Sequence, residues 1–203
     1  MHSVALHRDP ERNPYFQNQW RSIMNRINLV TDHNATQEQQ GLFDAIQGQL
    51  GMVPNFLRVF ANSPAALRGF LGLHSIAAEG GLDLQTKERI ALTLAEQNAC
   101  QYCVSAHTAI GRKAGLDAAE IAANRAGGSR DVKADAAVKF ARSLAQNSGG
   151  VTNTELLAIR NAGYSDGEIV EIITHVGMNI LTNMIGRASQ VAIDFPKVEL
   201  QSA

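Results

Sequence analysis

Residues 83–115 read DLQTKERIALTLAEQNACQYCVSAHTAIGRKAG, and the spacing of apolar positions along this stretch decides the fold. Ile90, Ala91 and Leu94 recur at helical intervals behind Asp83, a residue suited to the N-cap. Val104, Ala106, Ala109 and Ile110 repeat the pattern before Gly115, a residue suited to the position just past a helix end. Two helices therefore flank a break near Asn98-Ala99, and the cysteine segment opens the second of them. No run alternates apolar with polar residues as a half-buried strand does.

The same signals continue outward. Thr36 with Gln39 forms a capping box for a helix that presents Leu42, Phe43, Ile46 and Leu50 and stops near Gly51. Pro54 forces a turn. Ser63-Pro64 is an N-cap followed by proline at the first helical position, and that helix runs through Leu67, Phe70, Leu71 and His74 to Gly80-Gly81. Downstream, Asp117 caps a short helix over Ala118 to Arg125, and Gly127-Gly128-Ser129 is a linker. Further helices are expected at Val132 to Asn147, at Asn153 to Ala162, and from the Ser165/Glu168 capping box to about Ile193. Phe195-Pro196 closes the core. The fold class is all-α.

A chain of 203 residues, 45% of them hydrophobic, buries one core and has no room for two full domains. Its 18 Lys and Arg against 19 Asp and Glu leave a net charge of −1, which gives a nucleic acid no field to follow. Glu171, His175, Asn179, Asn183 and Arg187 interrupt the most apolar stretch, so no membrane span is expected. Two cysteines, three residues apart, and an N-terminus without an apolar leader fit a reducing cytoplasm. Residues 1–23 have no clear periodicity and form an extension to a helical domain at 24–203. Three readings of them are open: an arm packing on a neighbouring subunit, a remnant of cloning, or a stretch ahead of a true start at Met24.

Cys100-Gln101-Tyr102-Cys103 is a C-x-x-C pair, with His107 four residues after the second cysteine. On a helix Cys103 and His107 share a face, and Cys100 lies over the same turn. The thiolate is the nucleophile, and unpaired N–H groups of a helix's first turn lower a thiol's pKa; Cys103 is expected to be better aligned for this than Cys100. His107 can act as base or proton shuttle for it. Residues at i and i+3 also fall within the Cα separation of about 4.4–6.8 Å that a disulfide tolerates. Other readings compete. Free cysteines serve as core filler, and a zinc site would draw on His74 or His175, although the second ligand pair such sites use is missing. A thioredoxin-like pair would need βαβ surroundings. Glu88 alone reads as a solvated charge beside Arg89 or Lys87. His175, Asn179 and Asn183, one stripe of the last helix, read as hydrogen-bonded core or interface polars, with a place at a substrate mouth as the functional alternative.

Glu88-Arg89-Ile90-Ala91 through Cys100-x-x-Cys103-x-x-x-His107 resembles the core motif of the alkyl hydroperoxidase D/carboxymuconolactone decarboxylase family. Gly51 to Phe56 and the Ile169 to Asn183 segment resemble its peroxidase-related branch, so the likeness runs from about Met24 to Val198. It implies an α-helical subunit that assembles as trimers or hexamers, reduces organic hydroperoxides, needs no cofactor beyond its cysteines, and is re-reduced by a dithiol such as a lipoylated protein. By motif position Cys103 is the peroxidatic thiolate, His107 relays its proton, Cys100 nearer the mouth resolves the sulfenic acid, and Glu88 ends the relay. One position departs: alkyl hydroperoxidase D proper carries histidine where this chain has Tyr102, and a phenol with a pKa near ~10 does not shuttle protons at neutral pH. Two alternatives remain: an acid/base decarboxylase or isomerase working through His107 and Glu88, and a non-catalytic thiol redox sensor or structural oligomer.

Overall fold

A computed structural model describes residues 25–201, and among them all regular structure is helical. The extension at 1–23 and the alternative start at Met24 lie outside the described residues. Nine helices follow in order: α1 Gln37–Leu50, α2 Asn55–Phe60, α3 Pro64–Ala78, α4 Leu84–Gln97, α5 Gln101–Lys113, α6 Ala118–Arg125, α7 Val132–Gln146, α8 Asn153–Asn161 and α9 Asp166–Ser189. Capping boxes at Thr36/Gln39, Thr152/Glu155 and Ser165/Glu168 start α1, α8 and α9, while Ser63, Asp83, Asp117 and Asp131 cap α3, α4, α6 and α7. Each supplies a side-chain acceptor to an N–H that the helix cannot satisfy by itself.

Three departures from the sequence reading have local causes. Pro54 does more than turn the chain: its carbonyl accepts the Leu57 and Arg58 N–H groups, so it starts α2, which buries Leu57, Val59 and Phe60. The expected linker at Gly127-Gly128-Ser129 is tied down, with Asn124 Nδ2 donating to the Gly128 carbonyl and the Ser129 N–H donating to Asp135. The last helix ends at Ser189 rather than near Ile193, because Gln190 takes a left-handed conformation (φ 46°). That turn redirects Val191 onto the cysteines.

Helix α4 is the hub, packed by α5, α6, α7 and α9. Helix α9 crosses the centre against α2, α3, α4, α5 and α7. By length and composition α9 could span a membrane, but here its Ile169, Ile172, Val176 and Met178 are core residues. One core cluster joins α4, α7, α8 and α9 around Ile90, Leu94, Phe140 and Ile172; a second joins α1, α2, α3 and α9 around Phe43, Leu57, Phe60 and Phe70. The cysteines lie in a third, with Tyr102, Val104, Ala106 and Val191.

The break between α4 and α5 is sharp. The Cys100 N–H donates to Ala95 O and the Ala99 N–H to Glu96 O, a Schellman closure that places Ala99 at φ 51°. Glycine is the usual occupant of that position, and an L-residue there costs roughly 1–2 kcal/mol. Ala99→Gly is expected to raise unfolding stability by about 1 kcal/mol, read from the urea midpoint at constant slope. An unchanged midpoint would show that the turn holds Ala99 without cost.

Candidate redox site

The Schellman turn delivers Cys100 to the N-cap of α5 and Cys103 into its first turn. The two are joined in a disulfide with a Cα–Cα separation of 5.3 Å, inside the range the i, i+3 spacing predicts. Both sulfurs are enclosed, Cys100 at 1% and Cys103 at 5% residue exposure. The capping role is the reverse of the sequence reading: the Cys103 N–H donates to Cys100 Sγ at 3.3 Å, so the favourable helix terminus acts on Cys100. The reason is where the helix starts. Cys103 is the third helical residue and lends its N–H to the cap instead of receiving one.

His107 lies one turn beyond Cys103, and its Nδ1 is 2.9 Å from Glu88 Oε2 on α4. Glu88 is therefore a buried partner of the imidazole and not a solvated charge, while Arg89 beside it turns to Glu120. With the carboxylate accepting from Nδ1–H, a neutral ring keeps Nε2 as its proton acceptor. Cys103, His107 and Glu88 line one cavity of about 540 Å³, whose walls include Phe56, Phe70 and Met178. His74 also lines it, and its pKa is lowered first by burial and then by the neighbouring His107. The sequence offered His74 only as a candidate zinc donor, and its place in the wall of this cavity comes from the tertiary fold.

Cys100 borders a different space. An open groove of about 830 Å³ on the other side of the disulfide is lined by Cys100 but not by Cys103. The expectation of Cys100 nearer a common mouth thus gives way to two sulfurs with two separate approaches. Tyr102 stands between them. Its hydroxyl donates to Asp194 Oδ1 at 2.7 Å and accepts from the Phe56 N–H at 3.4 Å, and its ring packs against Phe56 and Phe195. Burial, then the hydrogen bond and charge of Asp194, raise the phenol's pKa well above its ordinary value. Tyr102 is thereby a structural wedge outside the proton relay.

The α9 stripe divides between the two spaces. His175 and Asn179 line the Cys103 cavity and Asn183 the Cys100 groove. Asn179 Nδ2 donates to the His175 carbonyl, and Asn183 Oδ1 accepts from Asn98. Among the described residues, however, His175 Nε2 and Asn183 Nδ2 are buried without a partner, so the stripe is not wholly accounted for as hydrogen-bonded core. Burial lowers the pKa of His175. No group of three or more metal-ligating side chains converges among the described residues.

Gly186 of α9 presses on the pair from the opposite wall. A Cβ placed there would lie 2.8 Å from Cys100 Sγ and 3.5 Å from Cys103 Sγ. Overpacking of this kind costs about 1–3 kcal/mol, so Gly186→Ala is expected to shift the dithiol–disulfide equilibrium by about tenfold or more against a glutathione buffer. An equilibrium constant equal to that of the parent would mean that α9 yields to the methyl group.

The model of the carboxymuconolactone decarboxylase family matches residues 64–147, which hold Glu88, both cysteines and His107. No curated protein matches the sequence. Among solved structures, an "alkylhydroperoxidase AhpD core: uncharacterized peroxidase-related protein" from Ralstonia eutropha JMP134 superposes with a TM-score of 0.76 at 22% identity, over 84% of this chain and 93% of that one. An uncharacterized peroxidase-related protein from Silicibacter sp. TM1040 gives 0.72 at 24% identity, over 82% and 89%. A cysteine-to-alanine variant of the debrominase Bmp8, in complex with 2,3,4-tribromopyrrole, gives 0.69 at 18% identity, over 83% and 91%.

Proposed function

We propose that the chain, whose residues 64–147 match the model of the carboxymuconolactone decarboxylase family, is a thiol-dependent peroxidase that reduces organic hydroperoxides. The observation that carries this reading is that one sulfur of the disulfide shares a largely apolar cavity with the His107–Glu88 pair. In the reduced protein His107 Nε2 takes the Cys103 proton, and the thiolate attacks the outer peroxide oxygen. The S–O bond forms as the O–O bond breaks, and the alkoxide leaves as alcohol with the proton returned by His107. Cys100 then attacks the sulfenic sulfur. Hydroxide leaves as water with the Cys100 proton, closing the disulfide, and an external dithiol restores both thiols with two electrons. Glu88 holds the imidazole in the tautomer the first step uses. A lactone decarboxylase using His107 and Glu88 alone would have no need of the disulfide.

Cumene hydroperoxide with dithiothreitol as reductant tests the proposal. Multiple turnovers per protein chain support it; a single stoichiometric oxidation would leave a sensor, and no oxidation at all would overturn redox chemistry at the pair.

The same reading includes assembly. Val170, Ile173 and Leu181 form an exposed apolar strip along α9, with Val170 61% exposed. A strip of this kind on a single subunit marks a contact surface, which closed symmetry covers without leaving an open edge. A trimer or hexamer is the expected state. Light scattering at the 21.9 kDa monomer mass would contradict it.

A further inference from the structure

We propose that the groove on the Cys100 side of the disulfide is a binding site for the reductant, separate from the hydroperoxide cavity, and that it selects a dithiol carrying a carboxylate. The inference builds on the redox reading of the cysteine pair but does not require that the oxidant be a hydroperoxide. The groove of about 830 Å³ presents Cys100 together with Arg26, Arg187, Asn98, Asn183 and Gln190, and among the described residues no acidic side chain lines it. Neither arginine forms an ion pair within the described residues, whereas Arg58, Arg89, Arg125 and Arg160 all do. Asn183 is 1% exposed, and its Nδ2 donor has no partner, while its Oδ1 is committed to Asn98. A buried unpaired donor beside two cations is costly to leave empty and is complementary to a carboxylate.

The chemistry fits this direction of approach. A reductant thiolate attacks Cys100 Sγ, the Cys100–Cys103 bond breaks, and Cys103 leaves as thiolate on the side of His107. The mixed disulfide then meets the reductant's second thiol, which loses its proton and closes the reductant's own disulfide. Cys100 leaves as a thiolate that the Cys103 N–H stabilises from 3.3 Å. Two electrons reach the protein, and the oxidised reductant departs through the groove it entered. Arg187 lines the same groove as Cys100, so a carboxylate carried a few bonds from the attacking sulfur can pair with it there.

Dihydrolipoate and dihydrolipoamide form a controlled pair for the test, because they share one dithiol and differ in the carboxylate. The oxidised full-length protein is mixed with each, without any peroxide, and the appearance of free thiols is followed by alkylation and mass. At low salt, dihydrolipoate is expected to react about tenfold faster, with the ratio falling as salt screens the arginines. The ratio should drop towards one in Arg187→Gln and survive in Arg187→Lys; Arg26→Gln provides a second, independent neutralisation. Equal rates in the parent protein, or a ratio indifferent to both neutralising variants, would overturn the proposal. Since no hydroperoxide is present, failure here leaves the peroxidase reading standing, and failure of peroxide turnover leaves this result standing.

Discussion

In Cys103→Ser, hydroperoxide consumption is expected to fall to background, with no sulfenic acid left to label. Cys100→Ser should instead undergo one oxidation, and Cys103 should then be trapped as sulfenic acid or overoxidised, because the resolving sulfur is gone. The assignment rests on placement: Cys103 lines the cavity that holds His107 and Glu88, and Cys100 does not. A competing pull comes from the helix terminus, since the first-turn N–H of Cys103, a group of the kind that lowers a thiol's pKa, points at Cys100 Sγ. Position decides between them, because a thiolate that cannot reach the peroxide oxygen gains nothing from being abundant. His107→Ala should slow the first step by about 10²–10⁴-fold and move the pH dependence of Cys103 alkylation upward. A dimedone-type probe on both serine variants reads the outcome. Labelling confined to Cys103→Ser would make Cys100 the attacking residue.

The helices around the site were legible because their signals are local. Asp83, the Asn98-Ala99 break, Gly115 and the Ser165/Glu168 box each announce a terminus through chemistry confined to a single turn. The convergence of Cys103 with His107 follows from a spacing of four on one helix. The role of Glu88 was not legible in that way. Glu88 and Arg89 are adjacent in sequence, yet successive residues on a helix point in different directions, and Arg89 reaches across to Glu120 while Glu88 turns to His107. Only the motif likeness tied Glu88 to the cysteines. Likewise, nothing local announced that the two sulfurs would face different cavities. That division depends on α9 crossing the pair at Gly186 and on Tyr102 being fixed by Asp194, a residue 92 positions away. The short helix after Pro54 escaped because proline both ends one segment and begins the next.

The second large effect lies away from the chemistry, at Glu120. This carboxylate, with a side chain only 8% exposed, accepts from Arg89 Nε at 2.8 Å, Asn124 Nδ2 at 2.9 Å, the Arg130 N–H at 2.9 Å and the Ser129 hydroxyl. Burial pushes its pKa up, but the hydrogen bonds from Ser129, Asn124, Arg130 and Arg89 outweigh it and hold the group at about 2, against an ordinary 4.5. The folded state therefore favours the ionised form. Its contribution is fully present above pH 4.5 and is lost as the pH falls towards about 2. Glu120→Gln should cost on the order of 3 kcal/mol at neutral pH, because the buried Arg89 loses its counter-charge. The same variant should flatten the acid limb of the stability–pH curve, since the titrating group has been removed. Urea unfolding across that range measures both effects at once. Parallel curves for the two proteins would mean that Arg89 has recruited another acceptor, with Gln85 Oε1, 3.4 Å from its Nη2, the nearest one in place. Because Arg89 and Glu88 are consecutive on α4, loosening the first should also broaden the geometry of the second. Glu120→Gln is therefore expected to lower peroxide turnover moderately while leaving the disulfide able to form, which sets it apart from every substitution at the cysteines.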